Sequence, residues 1–385
     1  MKLEKFLEEK PLYYKEIDYE RFPKIYEQVK NYFQLPKIVH IVGTNAKGST
    51  GRALAYMLYK QGVKVGHYSS PHVLKFNERI WYNNKNIADE TLEQYHQKLL
   101  LLLTQEQREK LSYFEYTTLL AMLVFCDTCE YVILEAGLGG EHDATNVFDK
   151  VLSLITPIGY DHIAFLGSHI KQIATTKINS VRTNFIVAKQ YEKEVYTVAL
   201  KRAKELGVDC FFAQSYLDED FYESLEEYLK SHAYPSFFYD NFSTAFCGLY
   251  LLGFPLHVDL LDGFEILGRC QRIASNVTID VGHNVMAAKA LLKHFSQRKV
   301  NLVYNSYNDK EYKKILSILS PIIKKVEILP IRNIRALDEE LLIQTLKELG
   351  LEYTFFKQID DYEDYLVFGS FSVLEEFLKG YTKIE

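Results

Sequence analysis

Residues 38–50 read IVHIVGTNAKGST, an apolar strand running into Gly43-Thr44-Asn45-Ala46-Lys47-Gly48-Ser49. Ala53, Met57 and Leu58 then continue at helical spacing. A strand, a small-residue loop and a helix start aim backbone N–H groups and a lysine at one point, which suits the phosphates of a nucleotide. The general phosphate-loop pattern G-x-x-x-x-G-K-[ST] places glycine immediately before the lysine. Here Ala46 holds that place, and Gly43 lies four residues before Lys47. On this stretch alone, a sharp strand-to-helix turn with an exposed lysine stays open as the rival reading.

Outward from this stretch, strands alternate with helices. Ile38 to Val42, Lys64 to Tyr68, Tyr131 to Leu134, Val151 to Thr156 and Asn184 to Val187 read as strands. Helical patterns run at about Ser49 to Gln61, Glu90 to Leu103 and Tyr116 to Phe125. Such alternation predicts a mostly parallel sheet covered by helices. A second series starts near Gly268, with strands Val277 to Val281, Val300 to Tyr304, Val326 to Pro330 and Tyr365 to Phe368. Helices near Val285 to Phe295, Asp309 to Leu319, Asp338 to Leu349 and Ser372 to Leu378 separate them, and Ala287, Leu291 and Phe295 are spaced as one buried stripe. Asp218 to Phe264 reads as mainly helical and closes the first domain.

Composition excludes several classes. A length of 385 residues accommodates two domains, and 48% hydrophobic with 25% charged residues is the balance of a globular protein. A net charge of −6 argues against a nucleic-acid surface, which clustered Lys and Arg would favour. MKLEKFLEEK is too charged for a signal peptide, and the apolar run Leu119 to Cys126 is far short of a membrane span. The expectation is a cytoplasmic protein. Cys126 and Cys129 form an isolated C-x-x-C without a second pair at zinc spacing, so buried thiols account for them.

Four clusters carry further chemistry. Tyr68-Ser69-Ser70-Pro71-His72 is a polar turn after a strand, with a hydroxyl able to ligate Mg²⁺. Glu135-Ala-Gly-Leu-Gly-Gly-Glu-His-Asp143-Ala-Thr-Asn146 starts with a carboxylate at a strand end, where parallel sheets bind ligands. A dinucleotide fingerprint there would need glycine at position 142, which is His142. The third cluster is Thr156-Pro-Ile-Gly-Tyr-Asp161-His162, with Lys177 following. The fourth joins Gly268-Arg269 to Asp280-Val-Gly-His283-Asn284, where Asp280 ends a strand and Asn284 is placed to cap the next helix.

In this order the clusters resemble the folylpolyglutamate synthase and dihydrofolate synthase family of Mur-type ATP-dependent amide ligases, over nearly the whole chain. GTNAKGS is similar to that family's shorter phosphate loop. YSSPH with Asn77-Glu78-Arg79, SYFEYTT, EAGLGGEHDATN, Asp161-His162, Leu166-Gly167, GRCQR, DVGHN and Phe368-Gly369-Ser370-Phe371 recur in register. The resemblance implies a Mur-ligase-type P-loop ATPase domain with a mostly parallel sheet over residues 1–266. A smaller Rossmann-like α/β domain follows over 267–385. It implies that Thr44, Asn45, Ala46 and Lys47, with Gly48 and Ser49, hold ATP phosphates, and that Ser70, Glu135 and His162 ligate Mg²⁺. Asn241, Arg269 and Asp280, with His283 beside them, match positions that contact the nucleotide. Asp18, Ser112, Tyr113, Phe114, Glu115, His142, Asp143 and Ala144 match the pteroate-binding stretches of bifunctional members. Lys177 aligns with a lysine that becomes N-carbamylated, and with Lys47 and His162 makes the implied catalytic set.

The departures are specific. Ala46 stands for a glycine, which confines the loop to negative φ or strains it. Thr176 stands where an acid precedes the modified lysine, Gln271 replaces a Glu, and Val281-Gly282 replaces a Gly-Ala pair. The implied reaction joins L-glutamate to a folate or to dihydropteroate through an acyl phosphate, in a monomer using ATP and Mg²⁺ and no nucleic-acid or membrane partner. A cell-wall amino-acid ligase would share fold and chemistry, but SYFEYTT and EHDATN point to a pterin. A GTP switch would need a guanine-reading Asn/Thr-Lys-x-Asp motif, which the chain lacks. A non-catalytic nucleotide-binding module is the remaining alternative.

Overall fold

The computed structural model describes residues 2–11 and 18–381. The chain divides into two compact units, Met1–Ala233 with Phe238–Phe264, and Tyr234–Phe237 with Glu265–Glu385.

The first unit is built on eight strands: β1 (Lys37–Val42), β2 (Val65–Tyr68), β3 (Ile80–Tyr82), β4 (Lys85–Asn86), β5 (Tyr131–Glu135), β6 (Leu152–Ile155), β7 (Phe185–Val187) and β8 (Cys210–Phe212). Their order is β4-β3-β2-β5-β1-β6-β7-β8, parallel throughout except for the antiparallel β2–β3 and β3–β4 pairs. The short β3, β4 and β8 are absent from the sequence reading because two or three residues carry no readable period. Buried on both faces, β1 and β5 read as near-continuous apolar runs. Register places Ile41 level with Glu135, Val42 with Ile155 and Tyr68 with Leu134. The turns after β1, β2, β5 and β6 therefore open from one edge of four neighbouring strands. Helix Tyr113–Thr128 is apolar all round and lies in the core with Leu99, Phe148 and Leu134.

The second unit holds β9 (Gln271–Ala274), β10 (Val277–Ile279), β11 (Val300–Tyr304), β12 (Ile323–Ile328), β13 (Tyr353–Phe355) and β14 (Tyr365–Phe368). Their order is β13-β12-β11-β14-β10-β9, with only β9–β10 antiparallel. Two expectations need correcting here. The strand expected at 326–330 starts at Ile323 and ends at Ile328. In helix Val285–His294 the sealed stripe is Ala288, Leu291 and Phe295, with Ala287 only partly covered. A three-residue step to Leu291 from Ala288 and a four-residue step onward keep one face inward.

Candidate functional site

The phosphate loop is set by contacts behind it. Thr44 and Asn45 N–H both donate to Pro157 O, at 2.9 and 3.1 Å. Thr44 Oγ1 and the Gly159 backbone lie 3.1 Å apart at both its N–H and its carbonyl. These bonds tie the loop to the turn after β6, so the amides of helix Lys47–Lys60 are the ones its first turn leaves for an anion. Gly43 is needed for close approach, since a Cβ there would overlap Thr156 Oγ1. Ala46 takes φ 66°, ψ 1°, a left-handed conformation, so the expected conflict is resolved as strain rather than by negative φ. Asn241 Nδ2 donates to Ser49 Oγ at 3.0 Å, and Ser49 Oγ donates to Ala46 O. Asn241 thus braces the helix start.

Three charged groups gather at the loop. Lys47 Nζ lies 3.8 Å from Glu135 Oε1 and 3.3 Å from Gly43 O. Lys177, on helix Ile170–Ile178, is buried and donates from Nζ to the same Gly43 O at 2.9 Å. Burial first, and the Lys47 charge second, bring the Lys177 ammonium down to about 7. Gly140 packs against Lys177, where a Cβ would meet its carbonyl at 2.6 Å.

Glu135 is a buried carboxylate at a strand end, and Ser70 offers a half-buried hydroxyl just after β2. This oxygen chemistry fits Mg²⁺ held jointly with phosphate oxygens and waters. His162 begins helix Ile163–Leu166 at φ 51°, with its side chain 38% exposed and Nε2 4.0 Å from Asp161 Oδ2. Among the described residues no three His, Cys, Asp or Glu side chains form a metal cluster.

The stretches assigned to an acceptor substrate do local structural duties. Asp143 Oδ2 accepts from Gly137 and Leu138 N–H at 3.0 and 2.9 Å. Its Oδ1 accepts from Thr145 N–H and Oγ1 at 3.0 and 2.6 Å. Burial raises its carboxyl despite these bonds. Ala144 is buried next to it, and the exposed His142 ring lies 4.1 Å from that of Tyr19. Ser112 and Glu115 form a capping box on helix Tyr113–Thr128, and both Glu115 oxygens also accept from Arg21 Nη2. Asp18 Oδ1 accepts from Glu20 and Arg21 N–H. Tyr113 lies beside Arg79, and Phe114 lies against Tyr68.

In the second unit, Asp280 is buried, accepting from Cys270 N–H at 2.8 Å and Gly282 N–H at 2.7 Å. Burial pushes its carboxyl up, against the pull of the Arg269 charge. Arg269 lies 5.4 Å from the Phe371 ring, and the His283 ring is 6.5 Å from that same ring. Asn284 caps helix Val285–His294 through Ala287 N–H, as its position in the sequence implied. The two C-x-x-C cysteines are half-buried free thiols, Cys126 pushed up to about 12 and Cys129 to about 11 by burial.

Sequence reasoning missed His40. Its Nε2 lies 2.8 Å from Thr145 Oγ1, which extends the Asp143 bonds back to β1, and burial keeps the ring neutral. A histidine in an otherwise apolar strand was the available signal.

A phosphate loop on an inner strand of a parallel sheet, a buried acid against its lysine, and a second α/β unit define a nucleotide-using enzyme of Mur-ligase type. No protein-family model matches the chain. A crystal structure of Helicobacter pylori folylpolyglutamate synthetase is 39% identical, with 99% of this chain and 98% of that one covered at a TM-score of 0.78. A dihydrofolate synthase/folylpolyglutamate synthase of Haemophilus influenzae is 29% identical, over 93% of this chain and 92% of its own. A structure of E. coli FolC in complex with DHPP and ADP, 24% identical with a TM-score of 0.81, shares the fold. The chain belongs to the folylpolyglutamate synthase and dihydrofolate synthase family.

Proposed function

We propose that this chain ligates L-glutamate to a folate, to dihydropteroate, or to both, using ATP and passing through an acyl phosphate. The observation that carries the reading is the Lys47 ammonium 3.8 Å from the buried Glu135 carboxylate at the mouth of the β1 loop. A carboxylate and an amine do not condense at neutral pH without a better leaving group. An acceptor carboxylate oxygen attacks the γ-phosphorus, the bond to the bridging oxygen breaks, and ADP departs. Negative charge on the transferring group is met by Lys47 and by the N–H groups of helix Lys47–Lys60. Mg²⁺ bound with the phosphates supplies further charge neutralisation, and Glu135 and Ser70, with His162 assigned as the third ligand, are the residues that would hold it. The glutamate amine then attacks the acyl carbon, phosphate leaves, and the amine proton passes to solvent.

Lys177 is assigned a carbamate. An ammonium close to a second cation is unfavourable, whereas a carbamate is a hard oxygen group. Forming it requires a neutral amine, which a value of about 7 provides. Arg269, Asp280 and His283 are assigned to the nucleotide, and the stretches 112–115 and 142–144 to the pterin acceptor. The chain acts as a cytoplasmic monomer, and its net charge of −6 supports the absence of a nucleic-acid partner. No described helix is long and apolar enough to cross a membrane.

The test is phosphate release from ATP in the presence of L-glutamate, with dihydropteroate and tetrahydrofolate compared as acceptors. Release that requires both glutamate and an acceptor is expected. Acceptor binding without glutamate-dependent release would overturn the reading.

A further inference from the structure

Arg79 ends the short 3-10 segment Phe76–Arg79 and turns inward, with only 8% of its surface exposed. Its Nε donates to His72 Nδ1 at 2.8 Å. Its guanidinium carbon lies 5.9 Å from the Phe76 ring and 5.4 Å from the Tyr113 ring. Its backbone carbonyl accepts from Ser69 N–H at 3.1 Å, which fixes it beside the Ser70 turn, one strand away from Glu135.

Among the described residues neither Nη of Arg79 has a hydrogen-bond or carboxylate partner. Neither is among the polar atoms sealed from solvent without a partner, so the outer edge of the fork faces an opening. Glu78, next to it in the chain, and Glu115, two residues after its ring neighbour Tyr113, are engaged elsewhere. Glu78 accepts from Val73, Leu74 and Lys75 N–H, and Glu115 takes Arg21 and Ser112 N–H. A guanidinium withdrawn from water and flanked by aromatic rings, with two donors presented in one plane, is built for a two-oxygen anion.

We propose that Arg79 binds the carboxylate of a glutamylated folate that is not activated by ATP. The inference rests on the ligase reading above. A fork gripping the reacting carboxylate would bind it as tightly before phosphorylation as during it, which gives no rate advantage. The second carboxylate of a terminal glutamate keeps its charge throughout, and dihydropteroate, with a single carboxylate, has no counterpart to it. Arg79 therefore separates the two acceptor classes, favouring the one that already carries glutamate.

The experiment uses the full chain with Arg79→Gln and Arg79→Lys, reading kcat and KM for tetrahydrofolate, dihydropteroate and glutamate by phosphate release. Loss of a charged, two-pronged bond is expected to raise the tetrahydrofolate KM roughly ten- to hundredfold. The dihydropteroate KM and both kcat values should stay within about threefold, and Arg79→Lys should fall between, since lysine keeps the charge and loses the fork. Equal rises for both acceptors, or a rise confined to glutamate, would overturn the proposal. Equilibrium binding of tetrahydrofolate and tetrahydropteroate without ATP decides the case where only one acceptor turns over or none does. The wild type must then prefer tetrahydrofolate and the variants must lose that preference, and a wild type without preference refutes the assignment. Absence of glutamate-dependent release in the wild type would instead sink the ligase reading. If Arg79→Gln does not fold, Arg79→Lys carries both comparisons.

Discussion

Ala46 adopts φ 66° directly before Lys47, where a side chain with a Cβ is disfavoured by about 1–2 kcal/mol. The tie from Pro157 O to the two preceding amides and the brace from Asn241 hold it there. Ala46→Gly should therefore raise stability by about 1 kcal/mol, after allowing for the greater freedom of glycine in the unfolded chain. Urea unfolding reads this as a higher midpoint at unchanged slope, with kcat retained. A lower midpoint would mean the methyl group packs favourably enough to outweigh the strain. Lys177, held as the unmodified amine in CO₂-free buffer, gives a pH-dependent case. Its folded value, about 7, lies below the 10.5 usual for a lysine, so the unfolded chain binds more protons between the two. Stability must then rise with pH across that window, and the burial penalty is fully present only below about 7. Lys177→Met should stabilise the protein more at pH 6 than at pH 9 while abolishing turnover, with urea midpoints at the two values as the measurement. An equal gain at both would show that Lys177 does not titrate in that range.

The turn after β5 shows how an element's geometry is fixed by one side chain. Asp143 gathers Gly137, Leu138 and Thr145 around a buried carboxylate, and Gly140 sits against the Lys177 backbone. Asp143→Asn replaces one acceptor oxygen by a donor facing N–H groups, so buried donors lose their partner. A loss of roughly 2–4 kcal/mol is expected, given about 1–3 kcal/mol per orphaned group, and denaturant unfolding would show it. A change below about 0.5 kcal/mol, the usual range of a surface substitution, would place Asp143 outside the load path of the turn. The same turn explains what was legible in the sequence. β1, β5, β6, β11 and β14 were readable because apolar runs bounded by small residues are local signals. The antiparallel edge strand β9, with its polar Gln271 and Arg272, carries no such signal and is defined only by pairing with β10. Asp143, Ser112, Glu115 and Asp18 were legible as important but not for which purpose. Caps, turn latches and polar ligand contacts all draw on short oxygen-bearing side chains, and only coordinates separate them.

At the scale of the whole molecule, a chain of net charge −6 is proposed to bind ATP, folate and glutamate, all of them anions. Attraction must come from local positive charge, and Lys47 and the open end of helix Lys47–Lys60 supply it in the first unit. Each unit has its own sheet and its own buried cluster, so unfolding need not be a single transition. The one tryptophan, Trp81, is buried in β3 of the first unit with Arg52 4.7 Å from its ring, so its fluorescence follows that unit alone. Far-ultraviolet circular dichroism follows both. Mg²⁺–ATP at a hundred times its dissociation constant should stabilise the unit that binds it by about 2.7 kcal/mol. The Trp81 thermal midpoint should accordingly rise by several degrees, on the order of 2–4 °C per kcal/mol for a unit of this size. Lys47→Ala should cancel most of that rise while leaving the ligand-free midpoint nearly unchanged, because Lys47 makes only long contacts of 3.3–3.8 Å. A Trp81 midpoint indifferent to Mg²⁺–ATP in the wild type would remove the nucleotide from the first unit, and with it the assignment of the β1 loop.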